Sequence, residues 1–266
     1  MRGTLMPPKA IQFALFLAAS LLVLPAQETF TGIPSSGRPS VISGITVPPI
    51  PGAPFSATVV VEDERYDYFG PDEVWRTINL IARDSRGRTH NESRRLMPES
   101  FHGSPPLLGF RLYDPQTRIR TICDPVLRLA RHQAFSEESA TESTPDPAVR
   151  IQDLGTTVLD GLQAKGTRRT LSLSAKATRT GSPADIEDEV WYSDDLHLDL
   201  LVRHSDSRVG TQTIGVSDLK REEPPASMFE VPPGYKIVDA TPTAAPAQQP
   251  VPGPPSRKQP AAKPIP

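Results

Sequence analysis

The sequence of 266 residues contains a single cysteine, Cys123, so an internal disulfide cannot form. The fold must therefore be stabilised by an apolar core. Cys123 follows Ile119 and Thr121 at alternate positions, and this spacing favours a small buried side chain in a strand. A reactive thiol or an intermolecular bridge is the competing interpretation.

The chain also lacks an excess of basic residues, with 29 Lys and Arg against 31 Asp and Glu and a net charge of −2. Five basic residues lie in terminal segments that contain no acid, namely Arg2, Lys9, Arg257, Lys258 and Lys263. The central part is therefore more acidic than the whole. This balance argues against nucleic acid as a partner and against docking on anionic lipid headgroups through overall charge.

No catalytic or metal-binding motif is recognisable. The five histidines show no paired metal spacing, the hydrolase patterns G-x-S-x-G and S-x-x-K are missing, and no glycine-rich phosphate loop is present. The acidic run at 185–189 lacks the calcium-loop spacing, and we expect it on the solvent side of a strand. The sequence predicts no catalytic residue, metal site or cofactor. A cryptic hydrolase with two carboxylates distant in sequence stays open.

The first 26 residues have the three parts of a secretory signal peptide. Arg2 and Lys9 form a basic start, an apolar run follows at 11–24, and Pro25-Ala26 offers a cleavage site. The apolar run is shorter than the roughly 20 residues of a spanning helix, although an uncleaved anchor is the alternative. No cysteine follows the run that could be lipidated. We therefore expect a periplasmic or secreted protein with no stable membrane anchor after cleavage.

Composition divides the rest of the chain into three parts. Residues 27–54 are rich in Pro, Gly and Ser and predict an irregular lead-in. Residues 55–239 carry the strand patterns and form the predicted domain. Residues 240–266 consist mainly of Pro, Ala and Gln without an aromatic side chain, which predicts a disordered tail.

Hydrophobic residues in the central part recur with a period of two. Residues 55–62 and 196–203 both alternate between apolar and more polar side chains, as in antiparallel strands with one buried face. About ten such strands without long helices predict a mainly β domain, formed by one strongly curved antiparallel sheet or an incomplete barrel. The candidate residues for its apolar face, either packed core or ligand groove, are Val59, Val61, Leu196, Leu198, Leu200 and Val202.

An Asp-Pro pair occurs twice, ten residues apart, at Asp114-Pro115 and Asp124-Pro125. Asp followed by Pro suits the first two positions of a type I turn, and the spacing equals one strand plus one turn. We therefore expect three short strands. A helix that begins at Pro125, with Asp124 as its N-cap, is the alternative.

Several motifs in a fixed order resemble a group of uncharacterised exported bacterial proteins. They cover most of residues 56–238 and comprise RDSxGR at 83–88, the paired Asp-Pro turns, LG…DG…GTR at 154–168, E-x-WYS-x-DL at 189–196 and P-x-x-x-F-x-VP-x-x-Y at 225–235. That group is similar in architecture to the periplasmic lipoprotein carriers of the Lol type. The resemblance implies a curved antiparallel sheet around an apolar groove and a noncatalytic role in the cell envelope. The long helices that plug the groove of the carriers have no counterpart in this sequence.

Three functions follow from these observations. The first is a noncatalytic exported protein that binds a lipid or a lipoprotein acyl chain on the apolar face of the sheet. The second is an interaction module that contacts an envelope protein through a sheet face or the Pro-rich tail. The third is the cryptic hydrolase.

Overall fold

The computed structural model describes residues 44–65, 73–135, 148–178 and 180–241. The predicted signal peptide and nearly all of the predicted tail lie outside these ranges. The described part contains one 3₁₀ helix, Ala226–Phe229, and thirteen strands. The strands are β1 (Phe55–Arg65), β2 (Glu73–Arg83), β3 (Thr89–Arg94), β4 (Met97–Pro98), β5 (Leu107–Asp114), β6 (Ile119–Asp124), β7 (Leu129–Ala134), β8 (Val149–Leu159), β9 (Leu162–Leu173), β10 (Ala184–Ser193), β11 (Leu198–Asp206), β12 (Gly210–Lys220) and β13 (Lys236–Asp239).

The strands form a single open sheet in the order β13-β7-β6-β5-β3-β2-β1-β12-β11-β10-β9-β8, with β4 paired to β2. All neighbours are antiparallel except β13 and β7. The two edge strands do not pair with each other within the described ranges, so the sheet is unclosed. The predicted fold class is confirmed, with more strands than the ten expected because β4 and β13 are too short to show a periodic pattern.

The Asp-Pro repeat forms two turns of the same kind. Pro115–Arg118 connects β5 to β6, and 125–128 connects β6 to β7. Each aspartate accepts a hydrogen bond from the amide two residues later, Asp114 from Gln116 at 2.9 Å and Asp124 from Val126 at 3.0 Å. The predicted three strands are confirmed, and the alternative helix from Pro125 is wrong.

The sheet curls strongly at the end where β1 begins. The Nη2 of Arg83, at the end of β2, donates to the carbonyl oxygen of Leu196 in the turn before β11 at 2.9 Å, although β1 and β12 lie between β2 and β11 in the sheet. The turn between β8 and β9 bends back in the same way, since Oδ2 of Asp160 accepts a hydrogen bond from the amide of Leu219 at the end of β12. Contacts across intervening strands require high curvature.

The two halves of the sheet have their cores on opposite faces. Val59 and Val61 of β1 define the inner face, which buries the larger cluster. The smaller cluster contains Phe110, Leu112, Cys123 and Ala130, with Val231 and Tyr235 packed against it. Residues directly opposite each other in antiparallel strands share a face. His90 is opposite both Ala82 and Leu112, and Ala82 follows the inner-face residue Ile81, so the smaller cluster lies on the outer face.

The single cysteine is part of the smaller cluster and is 1% exposed. Burial raises the pKa of the Cys123 thiol to about 11. A thiol that is both buried and protonated is a poor nucleophile. The prediction of a small buried side chain is confirmed.

Candidate functional site

All six residues predicted for the apolar face belong to the larger cluster and are between 1% and 5% exposed. Val59 and Val61 lie on β1, Leu198 to Val202 lie on β11, and Leu196 lies in the turn before it. One row across the sheet joins Val61 to Ile214 and then to Val202. The structure therefore brings the six residues together in one packed aliphatic layer. Contact with a ligand stays a prediction.

A segment without regular structure, residues 44–54, covers this layer and is called the strap below. Its side chains Ile45 and Val47 are buried in the larger cluster. Arg83 fastens it, since Nε donates to the carbonyl of Ala53 at 2.9 Å and Nη1 to the carbonyl of Pro48 at 3.0 Å. Within the described ranges neither a helix nor a second sheet covers this face.

The Arg83 guanidinium is fully buried and lies 5.1 Å from the centre of the Phe55 ring. It donates hydrogen bonds to three backbone carbonyls. Burial lowers the pKa of Arg83 to about 10, so the side chain is still cationic at neutral pH. It joins the strap, β2 and the β10–β11 turn at a single point.

Further along the strands the inner face becomes polar. Asp63 of β1 is opposite Gln212 of β12, which is opposite His204 of β11, and His204 is opposite Asp188 of β10. All four are buried. Because Asp63 and Val61 are alternate residues of β1, this polar row lies about 7 Å from the aliphatic row of Val61. The inner face is thus amphipathic along the strand direction.

Asp188 and His204 form one end of the polar row. Oδ1 of Asp188 is 2.6 Å from Nδ1 of His204, whereas Oδ2 is buried without a hydrogen-bond partner. Asp188 is 0% exposed. The expectation that the whole acidic run faces solvent is therefore wrong for this residue, which continues the inward positions of Ala184 and Ile186.

The inner face places a second carboxylate near Asp188. Asp206 is opposite Ile186, so Asp188 and Asp206 are diagonal neighbours on adjacent strands, with their backbones about 7–8 Å apart. Although burial acts to raise it, hydrogen bonds from Arg208 hold the pKa of Asp206 below its ordinary value. Both carboxylates are buried, Asp206 accepts hydrogen bonds from Arg208, and Asp188 contacts His204. This pair has no solvent access for a substrate.

A separate concavity of about 340 Å³ lies where β2 and β3 diverge. The two strands pair only as far as Ile81 and Asn91. Beyond that point side chains replace the backbone pairing. Asn79 Oδ1 accepts a hydrogen bond from the amide of Arg94 at 2.8 Å, and Glu92 Oε2 accepts one from the amide of Leu80 at 3.4 Å. The volume of this concavity is at the lower end of the range for ligand pockets. None of the six predicted residues lines it.

Groups of three or more His, Cys, Asp or Glu placed to hold a metal ion do not occur in the described ranges. The same ranges contain no helix that is long and apolar enough to cross a membrane.

Two of the sequence motifs meet where β9 pairs with β10. Arg168 of the GTR motif pairs with Glu189 at 2.7 Å, and Glu189 also accepts a hydrogen bond from Trp191. The Trp191 ring lies over Gly166, where an added Cβ would meet ring atoms at 2.7 and 2.8 Å. These motifs therefore fix the pairing of β9 with β10.

The sequence predicts a face for only one residue of the polar row, Asp188, and that prediction, the solvent side, rests on its place in an acidic run. The other three residues, Asp63, Gln212 and His204, carry no prediction. A usable signal was present in their positions. Asp63 continues the alternation of Val59 and Val61, and His204 continues that of Leu200 and Val202. Position within the period identifies their face more reliably than polarity does.

No family model and no curated protein matches the chain. Among solved structures it is similar to an uncharacterised conserved protein from Thermus thermophilus, at 12% identity over 71% of this chain and 91% of that one, with a TM-score of 0.40. It is also similar to the Mycobacterium tuberculosis lipoprotein LppX, at 13% identity, 65% and 90% coverage and a TM-score of 0.32.

A LolA-superfamily protein from Nitrosomonas europaea is similar at 11% identity, 68% and 91% coverage and a TM-score of 0.29. The structures similar to this chain thus include one described as a LolA-superfamily protein, in line with the Lol-type architecture that the sequence resemblance implies. The likeness is one of fold.

Proposed function

We propose that this chain is a noncatalytic, exported envelope protein that binds an amphiphile carrying an acyl chain, such as a lipid or a lipoprotein. In this proposal the acyl chain lies on the aliphatic layer of the inner face, and the polar headgroup lies towards Asp63, Gln212, His204 and Asp188. The strap occupies the place of the ligand in the empty protein.

The observation that carries the proposal is the amphipathic inner face, covered only by the strap in the described part. The aliphatic stretch of β1 from Phe55 to Val61 is about 20 Å long, and one leaflet of a bilayer has about 15 Å of hydrocarbon. An acyl chain therefore fits along it. At roughly 25 cal/mol per Å² of buried apolar surface, such a chain needs no charged contact.

The strap must be replaceable for this function. It inserts two aliphatic side chains, Ile45 and Val47, and is held by the Arg83 side chain and by a backbone hydrogen bond from Gly52 N to Ser85 O at 2.9 Å. An acyl chain could bury the same aliphatic surface. Replacing Ile45 and Val47 by serine should therefore weaken the strap in competition with the ligand.

The test is the uptake of a fluorescent fatty acid, together with native mass spectrometry of protein recovered after export. We expect the wild type to bind and the Ile45→Ser/Val47→Ser variant to bind several-fold more tightly. The matched control is Ile151→Ser/Val158→Ser, because both side chains are exposed on β8, and it should bind like the wild type. No uptake and no lipid adduct in any of the three would refute the proposal.

The second candidate is an interaction module for an envelope protein, and the exposed edge of the sheet favours it. β8 is eleven residues long and pairs only with β9 within the described part. A free edge of this kind can accept a strand from another protein. Loss of a defined partner on deletion of residues 240–266, with folding unchanged, would instead assign the contact to the Pro-rich tail.

A further inference from the structure

The turn between β6 and β7 exposes two aliphatic side chains. Val126 is 83% exposed and Leu127 is 65% exposed. Oδ1 of Asp124 accepts hydrogen bonds from both of their amides, at 3.0 and 2.9 Å, and the turn ends with Arg128 at a positive φ of 47°. The turn is therefore held by its own hydrogen bonds, and the two side chains are free to contact something else.

Further exposed apolar side chains lie at the same end of the sheet. The amide of Lys236 donates to the carbonyl of Arg128 at 2.8 Å, which places the next residue, Ile237, beside the turn. Leu108 immediately precedes Gly109 on β5 and lies close to the end of β6. Both are about half exposed. Together Leu108, Val126, Leu127 and Ile237 form what we call the apolar tip.

Basic residues lie near the apolar tip. Arg128 and Lys236 adjoin it directly, whereas Arg111 and Arg131 flank Ile122 in one row across β5, β6 and β7, on the face opposite to that of Leu108 and Ile237. None of these four takes part in an ion pair between described residues. The one aspartate of the turn, Asp124, keeps its charge while it accepts hydrogen bonds from the amides of Val126 and Leu127. Arg128 and Lys236 together outweigh this single negative charge, so the turn and its neighbour Lys236 are net positive, whereas the whole chain is net negative.

We propose that the apolar tip is a docking surface for an anionic lipid bilayer. Exposed aliphatic side chains with a basic surround are the pattern of interfacial membrane contacts, where apolar groups enter the acyl boundary and Lys and Arg meet the headgroups. An acidic polypeptide would match the charges but would leave Val126 and Leu127 unused. The net charge of the whole chain argues against binding to anionic lipid, but net charge averages over the entire protein surface. Docking depends only on the charge of the surface that meets the membrane.

The chain contains its own matched control for this proposal. The β5–β6 turn has the same Asp-Pro-x-x-Arg pattern, and Arg118 has a φ of 54°. It lies at the opposite end of β6 and carries Gln116 and Thr117 in place of Val126 and Leu127. The variant Val126→Gln/Leu127→Thr therefore copies a turn that already folds in this sheet.

The experiment is co-sedimentation of the exported protein with vesicles of phosphatidylethanolamine and phosphatidylglycerol, and with vesicles of phosphatidylcholine alone. We expect binding to the anionic vesicles that falls with salt, and at least about ten-fold weaker binding for Val126→Gln/Leu127→Thr because two apolar contacts are lost. Arg128→Gln/Lys236→Gln should retain weak, salt-independent binding. The urea midpoint confirms that each variant folds.

The reverse change, Gln116→Val/Thr117→Leu in the Val126→Gln/Leu127→Thr background, adds the same apolar groups at the other end of the sheet. We expect it not to restore binding. Failure of the wild-type protein to bind anionic vesicles would overturn the proposal. Equal binding by wild type and Val126→Gln/Leu127→Thr would do the same, as would capture by polyglutamate without any capture by vesicles. The proposal does not rest on fatty-acid binding, because the vesicle assay requires none.

Discussion

Arg83 shows how one residue can connect three segments of the chain. Its guanidinium is buried and donates to carbonyls of the strap and of the β10–β11 turn. The next residue, Asp84, accepts hydrogen bonds from the amides of Arg86 and Arg88 and shapes the β2–β3 turn. The Arg-Asp pair of the sequence motif is therefore structural, with the arginine inside and the aspartate in the turn.

Replacing Arg83 by methionine should destabilise the protein by about 2–4 kcal/mol, because one buried and two half-buried hydrogen bonds to carbonyl groups are lost. Urea denaturation measures this change. Arg83→Lys keeps the charge but not the planar set of donors, and it should recover only part of the loss. Arg86→Met serves as the control, because Arg86 lies in the following turn with its side chain exposed and outside the strap contact. Equal stability of Arg83→Met and wild type would show that Arg83 does not fasten the strap.

Asp199 gives the clearest dependence on pH at the residue scale. Burial raises the pKa of this carboxyl from 3.8 to about 6. A carboxyl with a raised pKa stabilises the fold while it is protonated, so that contribution is full below about pH 4 and is lost as the pH rises through 6. Asp199→Asn should therefore stabilise the protein at pH 8 by at most about 3 kcal/mol and have little effect at pH 4.

Denaturation at both pH values checks this prediction. Asp195→Asn is the control, because Asp195 is exposed and its substitution should change the free energy of unfolding by under about 0.5 kcal/mol. A stabilisation by Asp199→Asn that is equal at pH 4 and pH 8 would contradict the assignment.

At the scale of the strand, a period of two was sufficient to predict the elements and the class of fold. It identified β1 and β11 and assigned Val59, Val61, Leu198 and Val202 to one face. It could not predict that the polar continuation of the same strands is buried, because that burial arises from the curl of the sheet. It also could not predict that β5 to β7 bury the opposite face, since this depends on where residues 226–235 pack.

The aliphatic layer can be distinguished from an open groove by substitution within β11. If Leu198 is packed as the structure shows, Leu198→Ala should cost about 2–5 kcal/mol. Ile151→Ala on the exposed side of β8 should cost under about 0.5 kcal/mol. Thermal or urea unfolding of the ligand-free protein gives both values. A small loss for Leu198→Ala, combined with loss of fatty-acid uptake, would show that this position faces an open groove.

At the scale of the whole molecule, the two clusters assign different tasks to the two halves of the sheet. The larger cluster, the strap and the polar row belong to β1, β2 and β9 to β12. The smaller cluster and the apolar tip belong to β5, β6, β7 and β13. We propose that one half holds the amphiphile and the other half meets the membrane. This arrangement needs no long helix to plug the groove, because the strap serves as the cover.

Such a division predicts where ligand binding changes the dynamics of the chain. Saturation with fatty acid should expel the strap, so amide hydrogens of residues 44–54 should exchange faster while those of β11 and β12 exchange more slowly. The strands β5 to β7 should be unchanged, because their core lies on the other face and shares no residue with the larger cluster.

Hydrogen-exchange mass spectrometry with and without ligand measures all three regions in one experiment. The Ile45→Ser/Val47→Ser variant provides the reference for a released strap, since its residues 44–54 should exchange rapidly even without ligand. Slower exchange of the strap on ligand binding would mean that it closes over the ligand instead of yielding its place. Slower exchange confined to β5 to β7 would place the ligand in the other half and refute the inner-face site.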